Sequence, residues 1–307
     1  MYRIGNLSFS VRNLTGDQSA DRLIPFLHEG SQPDYRYELR FCRSLPLPQP
    51  GASLIRTHDT LAAPGSDGST VIVHLSEGEP FAVTVERESC AVIYLPESSR
   101  DKSWHAYFLP DLLHLERPLL RKNCFVLHAV YAALDGNAIL FTAPSGGGKT
   151  TQAEMWVDLL GARIINGDKA AVGIQEGSWF AHGLPVSGSS ADCRNESHPV
   201  RAIVILEKAG ENSLTRVGIA GFNRIFSQTV LNPWDGEFCG KAMDLVARAC
   251  QEIPIYLFRC TKTPDAVHVL YRALFEKEEP THGNEQSNRP RADRGRQTGP
   301  GSNHRQF

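Results

Sequence analysis

The chain has 307 residues, 41% of them hydrophobic, and a formal net charge of −2. That length supports one large or two modest cores. The near-neutral charge excludes an overall field that would draw nucleic acid or an anionic membrane, and no apolar run is long enough to span a bilayer, so neither partner is expected.

The first residues, Met1-Tyr2-Arg3-Ile4-Gly5-Asn6, hold no apolar signal core. Seven cysteines, at positions 42, 90, 124, 193, 239, 250 and 260, form no C-x-x-C pair. Reduced thiols in a cytoplasmic protein are the expectation.

Residues 1–115 read as a β-rich N-terminal unit. Tyr35-Arg36-Tyr37-Glu38-Leu39-Arg40-Phe41 alternates apolar and polar residues, and 71–75, 81–85 and 91–95 are short β-branched runs. Proline and glycine fill the breaks between them. His28, His58 and His74 stand alone, with no second ligand at zinc spacing.

From residue 116 the pattern changes. A strand over 125–134 ends at Asp135-Gly136-Asn137, a hairpin turn signal. The strand over 138–141 then enters a glycine-rich run. A helix over 152–160 follows, with Gly161 as its C-cap. A strand over 163–166 delivers Gly167-Asp168. Segments 170–174 and 179–182 pair through Glu176-Gly177-Ser178. A strand over 201–206, helical patterns over 220–231 and 237–251, a strand over 253–258 and a helix over 265–275 complete the unit. The alternation of strands and helices, with hairpins mixed in, predicts an α/β domain over 116–276 built on a mixed sheet. Residues 277–307 are rich in Gly, Pro, Asn, Gln and Arg. They are expected to form a disordered basic tail, with an electrostatic arm for a partner as the other reading.

The run Ala143-Pro144-Ser145-Gly146-Gly147-Gly148-Lys149-Thr150-Thr151 has the form of a phosphate-binding (Walker A) P-loop, between a strand and a helix as that motif requires. Consecutive glycines let backbone N–H groups face one centre. The helix behind contributes its free N–H groups and dipole. Ser145, Gly146, Gly147, Gly148, Lys149, Thr150 and Thr151 are therefore expected to hold ATP. Lys149 would reach the β and γ phosphates, and the Thr150 hydroxyl would reach Mg²⁺. Ala143 stands where the pattern's first glycine usually does.

Asp168 is the next candidate. In a P-loop fold the strand before it can lie beside the loop-bearing strand, which would bring a carboxylate to the γ-phosphate as metal ligand or proton acceptor. A turn aspartate after Asn166-Gly167 is the other reading. His128 starts the strand that pairs with the loop-bearing strand. It is either a group that binds charge near the phosphates or a packed histidine. The polar segment 183–190 either borders an acceptor site or is an ordinary connection.

Leu127-His128-Ala129, Ile139 through Thr151, and Ile165-Asn166-Gly167-Asp168 together resemble the C-terminal catalytic domain of HPr kinase/phosphorylase and its smaller bacterial relatives. That family's fold is related to the nucleotide-binding core of phosphoenolpyruvate carboxykinase. The resemblance covers about 120–275 and implies a mixed-sheet P-loop domain of this type. It also implies an ATP-dependent kinase acting on a hydroxyl of a protein or peptide, with Asp168, His128 and Lys149 catalytic, Thr150 and Asp168 on the metal, and a possible homo-oligomer. Two features depart from the family. Gly167-Asp168 replaces a pair of aspartates, and the phosphorylase signature has no clear match, so the resemblance implies kinase more than phosphorylase. A nucleotide-binding accessory protein without turnover and a carboxykinase-like enzyme acting on a small carboxylate are the rival functions. Arg201, Lys208, Arg224 and Arg259 are further candidates for charge stabilisation.

Overall fold

Eight short strands build the first sheet. The computed structural model describes residues 1–13, 21–49, 51–57, 59–65, 67–100, 105–186 and 192–276. His58, 187–190 of the polar segment and the basic tail lie outside the described residues. The strands are β1 (Tyr2–Ile4), β2 (Leu7–Arg12), β3 (Tyr35–Cys42), β4 (Ile55–Arg56), β5 (Thr60–Pro64), β6 (Thr70–Ser76), β7 (Glu79–Glu86) and β8 (Cys90–Pro96). They order as β1-β2-β3-β8-β7-β6-β5-β4, with β3 parallel to both β2 and β8. In β3, Tyr35, Tyr37 and Leu39 are buried while Arg36 and Arg40 face solvent, the period of two that its sequence shows.

Two helices, α1 (His105–Leu112) and α2 (Glu116–Arg121), lead into the second sheet. Its strands are β9 (Cys124–Leu134), β10 (Asn137–Thr142), β11 (Arg163–Asn166), β12 (Lys169–Gln175), β13 (Ser178–His182), β14 (Ser197–Lys208), β15 (Ser213–Arg216) and β16 (Ile255–Cys260). The helices α3 (Lys149–Leu160), α4 (Phe222–Phe226), α5 (Gly236–Glu252) and α6 (Pro264–Phe275) lie among them. The sheet is mixed, as expected. β10 runs antiparallel to β9 and parallel to β14, which is in turn parallel to β16. One face of β9, with Phe125, Leu127, Ala129 and Tyr131, packs in the cluster that holds Phe238 and Leu245 of α5. The other face, with Val130 and Ala132, packs with Trp156 of α3 and Leu270 of α6. The result is a sheet covered by helices on both sides.

Two expectations are corrected. The strand before Asp168, β11, does not lie beside the loop-bearing β10. β9 separates them, pairing with β10 along one edge and with β11 along the other. The pattern over 220–231 yields only the short helix α4, preceded by a 3₁₀ turn. There the chain leaves the helix to pair with β9: Val230 N donates to Val126 O at 2.8 Å, and His128 N donates to Gln228 O at 2.8 Å. Tertiary pairing overrides helical spacing at this point.

The first sheet and the second half share one apolar cluster. It runs from Phe9, Tyr37 and Ile93 through Leu112 and Leu119 to Val126, Ala171 and Leu184. A buried ion network crosses the same boundary. Arg117 Nε lies 2.6 Å from Glu86 Oε2, close but poorly aligned for a hydrogen bond, and Arg117 Nη2 lies 3.0 Å from Asp235. Burial pushes the Glu86 carboxyl up, against the pull of Arg117. Asp235 also caps α5, accepting from Phe238 N at 2.9 Å. Asp235→Ala should therefore destabilise the protein by about 1 kcal/mol more than Asp235→Asn, which keeps the cap while losing the charge. Urea unfolding of the two variants checks this. Among the described residues no helix is long and apolar enough to cross a membrane, and none of the seven cysteines forms a disulfide.

Candidate functional site

The glycine run forms a tight turn between β10 and α3. Gly146 and Gly148 take left-handed φ values of 72° and 95°, which side chains disfavour. Gly147 is required for a different reason. A Cβ there would meet Ala143 Cβ at 2.5 Å and Pro144 O at 2.9 Å. This accounts for Ala143 in place of the usual glycine: its methyl group occupies space that residue 147 leaves empty. Gly147 N donates to Pro144 O at 3.0 Å and closes the turn. Helix α3 starts at Lys149 with no side-chain cap and no acidic residue in its first turn, so its leading N–H groups and dipole stay available to an anion. Phe141 and Trp156, with ring centroids 5.8 Å apart, hold α3 against β10.

The Lys149 side chain is buried and its Nζ donates to Ala143 O at 2.9 Å. Burial pushes its pKa below the ordinary lysine value, and the negative charge of Asp168 opposes that shift. Ser145, Gly146 and Thr150 are exposed, while Gly147, Gly148 and Thr151 are half-buried.

Asp168 sits in the turn between β11 and β12. Register brings it to the histidine: β12 pairs Lys169 with His128 of β9, and Ala129 N donates to Asp168 O at 2.9 Å. His128 therefore lies inside β9, not at the start of a strand as expected. Its Nε2 is 3.2 Å from Asp168 Oδ1, and Lys169 Nζ is 3.6 Å from Asp168 Oδ2. The hydrogen bond from His128 holds the Asp168 carboxyl below its ordinary value. Burial opposes this, and the charge of Lys169 adds to it. The group is a carboxylate at neutral pH.

Two side chains fix this arrangement, and sequence reasoning did not single out either. The Asn166 side chain is fully buried. Its Oδ1 accepts from Asp168 N and Lys169 N, both at 2.9 Å, and its Nδ2 donates to Leu184 O at 2.9 Å and Val186 O at 2.7 Å. It ties the Asp168 turn to the described part of the polar segment 183–190. An Asx turn was the available signal. Thr142, at the end of β10, donates from Oγ1 to His128 O at 2.9 Å and clips the loop-bearing strand to β9.

No family model matches this chain, and no curated protein matches it. Among solved structures it is similar to the HPr(Ser) kinase/phosphatase from Coxiella burnetii. The match has 14% identity, covers 48% of this chain and 88% of that one, and has a TM-score of 0.29. That is a distant structural likeness and says nothing of activity.

Three of the four proposed charge stabilisers are engaged away from Asp168. Arg201 Nε donates to Leu274 O at 2.6 Å, and Arg224 and Arg259 both pair with Glu207. The cation beside Asp168 is Lys169, which also lies 3.6 Å from Asp111 of α1. Among the described residues no group of three or more His, Cys, Asp or Glu side chains is placed to hold a metal ion. Mg²⁺ on a nucleotide does not need such a group, because phosphates and water fill most of its shell beside one or two protein oxygens. An ionised Asp168 and the exposed Thr150 hydroxyl fit that role.

Proposed function

We propose that the chain is an ATP-dependent kinase that transfers the γ-phosphate to a hydroxyl, with a serine of a protein or peptide as acceptor. One arrangement carries this reading: the sheet that bears an uncapped glycine turn with a buried lysine also holds the Asp168 carboxylate 3.2 Å from His128 and 3.6 Å from Lys169. Pure nucleotide binding would need neither His128 nor Asp168.

In this reading the amides of residues 146–151 and the Lys149 ammonium bind the phosphates. Polyphosphate supplies a direct ion pair to Lys149, whose Nζ otherwise donates to the Ala143 carbonyl. Mg²⁺, held by Thr150 and Asp168, would neutralise charge on the transferred group. The acceptor oxygen forms a bond to the γ-phosphorus as the bridging P–O bond breaks and ADP leaves. The acceptor's proton passes to Asp168. A carboxylate with a depressed pKa is a weak base, so it orients the hydroxyl first and takes the proton late, as the oxygen becomes acidic. His128 holds the carboxylate in place and shares its charge.

Purified protein incubated with γ-labelled Mg-ATP and a serine-containing peptide mixture tests the proposal. Label on a peptide is the expected result. Calorimetric binding of Mg-ATP without transfer or hydrolysis would leave the protein a nucleotide-binding accessory.

A further inference from the structure

A cavity of about 890 Å³ lies between the first sheet and the second half of the chain. Its walls come from both. Thr57, Asp59, His74 and Phe81 line one side, and residues of α1–α2, the start of β9 and the 230–234 segment line the other. Lys169 and Asp111 also line it. Lys169 therefore belongs to both the cavity and the surroundings of Asp168, one side chain from the carboxylate.

The walls combine apolar surface with buried polar groups. Phe81, Leu115, Val126 and Leu184 supply the apolar part. His114 Nε2 and Trp234 Nε1, on residues that wall the cavity, are buried with no hydrogen-bond partner. The other ring nitrogen of His114, Nδ1, is 3.0 Å from Glu116 Oε1. Buried Asn232, beside Glu116, has an amide nitrogen with no well-aligned partner. All three nitrogens are closed off from the cavity space, so an occupant meets the apolar lining and the exposed rim, and a volume of about 890 Å³ admits several amino-acid residues. Charge adds a second constraint. Glu116 is matched by His114, and Asp111 shares Lys169 with Asp168. Asp59, exposed at the rim, pairs with no cation among the described residues.

We infer that this cavity receives the acceptor, and that the acceptor is a peptide segment bearing a serine or threonine hydroxyl together with a lysine or arginine side chain. This rests on the kinase reading above. The hydroxyl enters past Lys169 to Asp168, the apolar side chains seat near Phe81 and Val126, and the basic side chain meets Asp59.

A synthetic nonapeptide library with a fixed central serine, incubated with the protein and γ-labelled Mg-ATP, tests this. Label should concentrate on peptides that contain Lys or Arg. Asp59→Asn should weaken that preference roughly fivefold. Ser98→Trp, at an exposed rim position, should raise the peptide KM more than it lowers kcat. Transfer with no preference for basic residues, a preference that survives Asp59→Asn, or label found only on small hydroxyl compounds overturns the cavity assignment and leaves the kinase standing. Absence of Mg-ATP heat in calorimetry removes both.

Discussion

Gly147→Ala should abolish measurable Mg-ATP binding. The added methyl would sit 2.5 Å from Ala143 Cβ and 2.9 Å from Pro144 O, both inside normal contact distance. Neither neighbour yields easily. Ala143 is buried in the layer between the sheet, α3 and α6, and Pro144 O already accepts from Gly147 N. Strain of roughly 1–3 kcal/mol would fall on the turn itself and splay the amides proposed to receive the phosphates. Calorimetry with Mg-ATP checks this, with circular dichroism to confirm folding. The double variant Ala143→Gly/Gly147→Ala should recover part of the binding, because it removes the nearer obstacle and leaves the carbonyl. Undiminished heat from Gly147→Ala alone would mean that the turn does not cradle the nucleotide.

Asp168→Asn should keep Mg-ATP binding yet slow transfer by ~10²-fold or more, the scale of a lost general base. The asparagine retains the shape, and its Oδ1 still accepts from His128. It lacks the charge that faces Lys149 and Lys169, and it cannot take a proton. The pH dependence follows in sign. The folded-state pKa of Asp168 is depressed. Its stabilising contribution is therefore present above the ordinary carboxylate value and is lost as pH falls through the folded value. Wild-type transfer should not fall through this group anywhere near neutral pH. Single-turnover rates with labelled ATP across pH measure both effects. An Asp168→Asn enzyme with full activity would remove this residue from the chemistry.

Local features are legible in the order of the residues. The turns at Asp135-Gly136 and Glu176-Gly177 adopt positive φ at both residues, as their composition requires. Helix α3 ends at Gly161 with φ 70°. The glycine run between β10 and α3 is legible for the same reason. Each depends only on the conformations that a few neighbouring residues allow. The need for Gly147 specifically was not visible, because the atoms it would strike lie across the turn.

What linear order left open was which strand ends meet. Nothing in the spacing of Asp168 requires β9 to lie between β10 and β11, or His128 to face Lys169 in register. The approach of Asp111 from α1 and the burial of Arg117 between Glu86 and Asp235 are no more visible. These contacts join residues far apart in the chain. Strand pairing sets them, and a shift of one residue would turn His128 to the opposite face. Propensity and φ preference act within a few residues, so the chain by itself specifies a glycine turn suited to an anion. Strand pairing of β9 with β12 is what sets Asp168 beside His128 and Lys169, and the packing of the first sheet on the second half is what leaves a cavity next to Lys169.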